Sequence, residues 1–101
     1  MISGNGGIGV TMSVAGTTGN RIEGNFIGTN AAGTAGIGNF HGVDIGANAR
    51  GNFIGGAGAG NRIAYNTNSG VTLVFNAGTG NLIRENEIFS NTTDLGNDST
   101  R

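Results

Sequence analysis

Short apolar segments recur along the chain in a fixed order, and Gly, Asn, Ser and Thr separate them. Within each segment apolar residues alternate with polar or small ones, which is the pattern of a strand with one buried face. The clearest unit spans 61–91, where an Asn-x-Ile segment, a longer Gly-Val segment and a second Asn-x-Ile segment follow one another. Each segment is too short to bury its apolar face alone. The pattern therefore predicts strands that stack on equivalent strands elsewhere in the chain.

The spacing of the apolar positions indicates an internal repeat. Each long-strand Val is followed by a second-strand Ile after 12, 11 and 12 residues. The step from the second to the third strand is 5, 9 and 5 residues, and 28–39 enlarges the middle turn. The three sets are Val10, Val43 and Val71 for the long strand, Ile22, Ile54 and Ile83 for the second, and Ile2, Ile27, Ile63 and Ile88 for the third.

These positions predict an all-β fold, a parallel β-helix (β-solenoid) of about three coils with three short strands each. Stacking at about 4.8 Å places equivalent side chains in columns, and Met12, Ile45 and Leu73 form one more column beside the Val column. We expect a polar substitution at Val43 or Ile45 to be the most damaging. We assign 1–91 to a single β-helix segment and 92–101 to a polar C-terminal tail or partial cap.

Asn is the second recurrent element. It stands three residues after every second- and third-strand Ile except Ile54, which is followed by Ala57. Asn tolerates a left-handed backbone, and its amide both donates and accepts hydrogen bonds. Because every turn carries these residues, we interpret them as structural corners that bond from coil to coil, rather than as metal or sugar ligands. They are Asn5, Asn25, Asn30, Asn66, Asn86 and Asn91.

Composition narrows the class of protein. With 22 Gly and 36% apolar residues the chain resembles a low-complexity sequence, but its net charge of −1 and its repeating apolar positions favour an ordered fold. Five basic residues against six acidic ones leave no basic patch for nucleic acid or an anionic membrane. No apolar run approaches about 18 residues, so we expect no membrane span. Ile2 is already in phase with the repeat, so we expect a longer repeat array.

Three segments, GNRIEGNFIGTNAAGTAGIGN, HGVDIGANARGNFIGG and SGVTLVFNAGTGNLIREN, resemble the Asn- and Gly-rich repeats of bacterial right-handed parallel β-helix proteins of the pectate-lyase-like superfamily. The resemblance covers about 2–91. It implies a right-handed coil, an Asn ladder at a short turn between the second and third strands, and an extracellular or cell-surface location in bacteria. The nine-residue step after Ile54 departs from that short turn and leaves the register of 54–63 open.

The outer face of the long strands holds the candidate chemistry. Thr11, Asp44 and Thr72 share this face and are candidate ligand-binding residues. In the enzymes of the resembled superfamily, acidic and basic residues cluster here along a bound polysaccharide, which makes Asp44, His41 and Arg50 the candidate catalytic set. A glycoside hydrolase needs two carboxylates around the scissile bond, and a calcium-dependent lyase needs several carboxylate oxygens. Neither set is visible in the sequence.

Outward aromatic residues flank the buried Ile positions. Phe26, Phe53 and Phe89, with Tyr65, are expected either to stack on sugar rings or to be covered by loops or by another copy of the chain. Arg62 and a Glu one coil later occupy equivalent positions and predict a surface ion pair.

We therefore expect a non-catalytic β-solenoid segment of a larger exported or surface protein, with a structural, adhesive or polysaccharide-binding role and no cofactor or metal. The alternative is a fragment of a polysaccharide lyase or glycoside hydrolase, and only then would calcium be a cofactor. Ice binding by a flat Thr array is disfavoured because Asp44 interrupts Thr11 and Thr72. Open coil ends predict self-association of the chain.

Overall fold

The computed structural model describes residues 1–74 and 76–97 of this chain. Ten short strands make up the regular structure of these residues, and no helix occurs among them. The alternating apolar residues form strands, and the strands are short because Gly-rich turns interrupt them after a few residues. The strands are β1 (Ile8–Met12), β2 (Arg21–Ile22), β3 (Phe26–Ile27), β4 (His41–Ile45), β5 (Phe53–Ile54), β6 (Arg62–Ala64), β7 (Ser69–Leu73), β8 (Leu82–Ile83), β9 (Glu87–Phe89) and β10 (Thr93–Asn97).

The strands form three parallel sheets. The first sheet has the order β1-β4-β7-β10, the second β2-β5-β8 and the third β3-β6-β9. Consecutive strands thus go to different sheets in rotation, and each strand pairs in parallel with the strand three places later. This topology is a parallel β-solenoid of about three coils and confirms the predicted fold class. Its right-handed winding stays a prediction from the resemblance.

Strand register confirms the predicted columns. Val43 pairs with Val10 and with Val71, and Ile45 pairs in the same way with its neighbours in β1 and β7. Ile54 and Ile63 also pair with the equivalent Ile of the coils on either side. The longer turn at 55–60 therefore bulges outward without shifting the register of the middle coil.

The core lies inside the coil and is densest in the middle. Val43, Ile45, Ile54, Ile63 and Val71 are fully buried. Burying such a side chain stabilises the fold by roughly 1.5–3 kcal/mol. The column residues nearer the ends are only partly buried and pack against this cluster; they are Ile2, Val10, Ile83 and Ile88.

Stacked Asn side chains form a ladder at each of the three corners. In a typical step, the backbone N–H and the Nδ2 of Asn39 both donate to Asn66 Oδ1, at 3.0 and 3.1 Å. Asn66 donates in the same way to Asn91 Oδ1, and Asp94 Oδ1 accepts from Asn91 at the end of this ladder. The ladders are Asn5–Asn39–Asn66–Asn91, Asn20–Asn52–Asn81 and Asn25–Asn61–Asn86.

One predicted corner Asn was wrong. Asn30 lies in the enlarged turn, where its Oδ1 accepts from the backbone N–H of Thr34 at 2.9 Å. Asn39 takes its place in the ladder, because the residues between them form a small hairpin closed by an antiparallel bridge from Thr29 to Gly36. The corner position therefore follows the insertion and not the preceding Ile.

Two boundaries differ from the sequence expectation. The alternation of Val10 and Met12 predicts a long strand that continues to Val14, but β1 ends at Met12 and Val14 is exposed with a φ of 71°. The same alternation from Val71 and Leu73 reaches Phe75, which lies outside the described residues. The segment expected to be a tail or partial cap contains β10, which pairs with β7 and extends the first sheet as far as Asn97. The remaining tail residues, 98–101, also lie outside the described residues.

Candidate functional site

The outer face of the first sheet brings three of the predicted site residues into one row. Asp44 on β4 lies in register between Thr11 on β1 and Thr72 on β7. Because the residues on either side of Asp44 are buried in the core, strand alternation turns its side chain outward. Asp44 is half-buried, and Thr72 is only 9% exposed.

A shallow cavity of about 220 Å³ opens beside Asp44 at the ends of the long strands. Its polar lining comes from Thr11, Ser13, Asp44 and Asn76, and Val74 contributes apolar surface. Thr72 adjoins Asp44 in the sheet but is not part of the lining. The cavity therefore combines a carboxylate, hydroxyl groups and an amide with an apolar wall.

Two oxygen atoms at this site are buried without a hydrogen bond. Asp44 Oδ1 and Thr72 Oγ1 have no hydrogen-bond partner in the described part of the chain. Most buried polar groups in proteins are paired, so each unpaired one needs an explanation. The two groups are neighbours in the sheet, so the Thr72 hydroxyl is a potential donor to the Asp44 carboxylate.

Burial raises the pKa of Asp44, because the charged form loses hydration in the half-closed site. The positive charge of His41 and the neighbouring Thr72 hydroxyl act in the opposite direction and offset part of this effect. Asp44 therefore holds its proton to higher pH than an ordinary exposed aspartate.

The predicted catalytic residues are only partly brought together. His41 shares β4 with Asp44; its Nδ1 accepts a hydrogen bond from the Ser69 N–H at 3.3 Å, and its ring meets the Phe40 ring edge-on at 4.6 Å. Arg50 lies in the loop after β4 with an exposed side chain, and within the described residues no hydrogen bond or ion pair joins it to Asp44 or His41. Only the carboxylate and the imidazole share an element.

Sequence reasoning missed two residues of the cavity, Ala47 and Asn76. The Ala47 N–H donates to Asn76 Oδ1 at 3.0 Å, and this bond links the turns that follow β4 and β7. Ala47 has a φ of 49°, which the sequence alone does not indicate for an alanine. The sequence did contain one indication of Asn76, because it stands two residues after Val74, where the corner begins.

Two of the outward aromatic residues contact arginine side chains from the next or preceding coil. The Arg21 guanidinium carbon lies 4.3 Å from the Phe53 ring centroid, and that of Arg62 lies 5.9 Å from the Phe26 centroid. Arg62 also forms the predicted ion pair with Glu87 at 3.1 Å. These aromatic rings are therefore half-buried within the coil surface by their strand neighbours.

Within the described residues, no group of three or more His, Cys, Asp or Glu side chains is arranged to hold a metal ion. The same part of the chain contains no long apolar helix of the kind that crosses a membrane. Comparison with protein-family models, curated proteins and solved structures finds no match for this chain. The resemblance to bacterial β-helix repeat proteins stays a prediction from the sequence.

Proposed function

We propose that this chain is a non-catalytic β-solenoid segment of a larger exported or cell-surface protein, and that the long-strand face binds polysaccharide. The observation that carries the proposal is the cavity of about 220 Å³ beside Asp44. Small-molecule sites in proteins typically combine apolar walls with a few placed polar groups and enclose about 300–1,000 Å³. A smaller and open cavity is better suited to one sugar ring of a longer polysaccharide than to a ligand that is fully enclosed.

The carboxylate of Asp44 in the cavity lining supports a hydroxyl-rich ligand. An ionised carboxylate only accepts hydrogen bonds, so it favours a ligand that brings hydrogen-bond donors. A sugar hydroxyl supplies such a donor, and the hydroxyl groups of Thr11 and Ser13 can donate or accept toward its neighbours. The carbon face of the ring would pack on Val74.

The repeated geometry of the coil supports a structural or adhesive role for the same surface. Equivalent outer positions recur from β1 to β4 to β7 in strict register, with a spacing of about 4.8 Å between neighbouring strands. A face of this kind runs along the axis of the solenoid and presents a regular surface to an extended polymer or a neighbouring cell.

Self-association through the open coil ends is a second part of this proposal. β1 and β10 are the outermost described strands of the first sheet, and each leaves one edge without a partner strand in that part of the chain. Ile8 and Leu95 on these strands are 38% and 54% exposed. Unpaired edges with apolar side chains favour pairing with another chain. Light scattering over a range of concentrations tests this, and a monomer at high concentration would contradict it.

Glycan binding is tested by NMR titration of the 101-residue chain with a panel of neutral and acidic oligosaccharides. We expect shifts to concentrate on Thr11, Asp44 and Asn76, and Asp44→Ala to weaken binding by about tenfold, the loss expected for a hydrogen bond to a charged group. The matched control is Glu23→Ala, which removes an exposed carboxylate from the turn after β2. Equal affinity in both variants, or shifts that avoid this face, would contradict the proposal.

A fragment of a polysaccharide lyase or glycoside hydrolase is the alternative function. The observation that favours it is the raised pKa of Asp44 on the same strand as His41, because a carboxyl group that keeps its proton can act as a general acid. Cleavage of polyuronates and neutral glycans should be assayed with and without calcium. Turnover that disappears in Asp44→Ala supports the enzyme, and binding without turnover supports the non-catalytic segment.

A further inference from the structure

We infer that the cavity beside Asp44 selects uncharged sugar units and discriminates against units that carry a carboxylate. The inference rests on the proposed glycan binding and names the ligand class of the same site. It follows from the charges that surround Asp44 and from the hydrogen bonds that its carboxylate can make.

The lining of the cavity carries a negative charge. Asp44 is the only charged side chain among the described residues that line the cavity; Thr11, Ser13 and Asn76 are neutral. The strands packed on either side of β4 have the sequences IGVTM and SGVTL, so neither brings a charge to this face. A ligand in the cavity therefore meets one negative group and no lining cation.

Two basic residues lie close to Asp44 in the sequence but do not line the cavity. His41 is on β4 itself, and its Nδ1 already accepts a hydrogen bond from the Ser69 N–H. Arg50 follows in the next loop with an exposed side chain. Neither residue lines the cavity, so neither offers a sugar carboxylate a direct ion pair there.

The carboxylate of Asp44 lines the cavity and, when ionised, only accepts hydrogen bonds. A sugar hydroxyl can donate a hydrogen bond to this carboxylate, whereas an ionised sugar carboxylate has no proton to donate. A uronate placed in the cavity would lose that hydrogen bond and would add like-charge repulsion. At about 4 Å in a water-like environment, repulsion between unit charges weakens binding by about fivefold.

The discrimination should depend on pH. Burial raises the pKa of Asp44, so mild acid neutralises this carboxylate before an ordinary exposed one. A uronate therefore meets less repulsion as the pH falls and Asp44 takes up its proton.

The test is calorimetric titration with a matched pair of oligosaccharides of equal length and linkage, one neutral and one with carboxylates in place of the primary alcohols. We expect the unmodified chain to bind the neutral member at least about fivefold more tightly at pH 7.5 and to lose part of this preference as the pH falls. Asp44→Asn keeps the side-chain shape and should bring the ratio close to one. Glu23→Gln, with the same change in net charge outside the cavity, should keep the ratio of the unmodified chain.

Equal binding of the two oligosaccharides, or tighter binding of the acidic one at pH 7.5, would overturn the selection and leave the proposed glycan binding intact. No binding of either member would contradict the proposed function and this inference together. The comparison of the two oligosaccharides at pH 7.5 uses the unmodified chain, so it decides the matter even if Asp44→Asn fails to fold.

Discussion

The middle coil and the coil that follows it carry the same residues at equivalent positions, but they are buried to different extents. Ile54 and Ile63 are fully buried, whereas their register partners Ile83 and Ile88 are partly exposed. Val71, in the same coil as the exposed pair, is fully buried because β10 covers its strand. The contribution of each strand to stability thus depends on the coils on either side of it. The largest losses of stability are therefore expected in the middle coil.

Ile45→Asn should cause the largest loss of stability, because it places an amide in the fully buried middle of a column. The lost apolar contact and the unpaired amide together should lower the unfolding free energy by at least about 4 kcal/mol. A loss of this size is enough to unfold most molecules of a small domain. Ile88→Asn, in the partly exposed coil, should cost about 1–2 kcal/mol. Thermal unfolding followed by circular dichroism measures both. An unchanged melting curve for Ile45→Asn would refute the column.

Asn66→Ala should cost about 3 kcal/mol, because it leaves the buried N–H and Nδ2 of Asn39 without their common acceptor. The matched control is Asn5→Ala at the first rung of the same ladder. Asn5 donates to Asn39 Oδ1, but its own Oδ1 accepts no hydrogen bond from the described residues. We expect a loss below about 1 kcal/mol there. Denaturant unfolding compares the two, and equal losses would show that the ladder adds nothing in the middle.

Gly60→Ala should cost about 2 kcal/mol, since a Cβ there would overlap the carbonyl oxygen of Glu85 in the next coil. The control is Gly7→Ala, directly before β1, where a Cβ meets open space and the backbone φ is not positive. That variant should unfold at nearly the same denaturant concentration as the unmodified chain. An unchanged unfolding free energy in Gly60→Ala would mean that the coils are not in close contact at this corner.

Asp44→Asn should have the smallest effect, and its sign depends on pH. The folded pKa of Asp44 lies above the ordinary value of 3.8, so the folded chain binds this proton more tightly than the unfolded chain. Its contribution to the unfolding free energy therefore falls as pH rises from about 3.8 through the folded pKa, and is constant above that. Relative to the unmodified chain, Asn should be more favourable at pH 7 than at pH 3. Melting temperatures at the two pH values measure this, and the opposite order would contradict the buried carboxylate.

Much of the fold could be predicted from the sequence, because a column requires an apolar residue at every coil. The near-constant step from Val43 to Ile54 and from Val71 to Ile83 was enough to pair the strands. The Asn rule was less accurate. Asn occurs two residues before every second-strand Ile and before every third-strand Ile from Ile27 onward. This spacing identifies Asn52 and Asn61, which the three-residue rule omitted.

The remaining features depend on contacts that a sequence pattern does not contain. The hairpin that moves the ladder position from Asn30 to Asn39 is set by a bridge within the insertion. β10 has the sequence TDLGN, whose only large apolar residue is 54% exposed, so it is a strand because β7 offers it an edge and not because of its own pattern. In the site, the row of Thr11 and Asp44 was predictable, but the cavity required the turn that brings Asn76 to Ala47.

The most direct test of the stacked coil is the pattern of nuclear Overhauser contacts among the methyl groups of Val10, Val43 and Val71. We expect strong contacts between Val10 and Val43 and between Val43 and Val71, with none between Val10 and Val71, which lie two strand spacings, about 9.6 Å, apart. Absence of both neighbouring contacts, in a chain that is folded by other criteria, would contradict the solenoid.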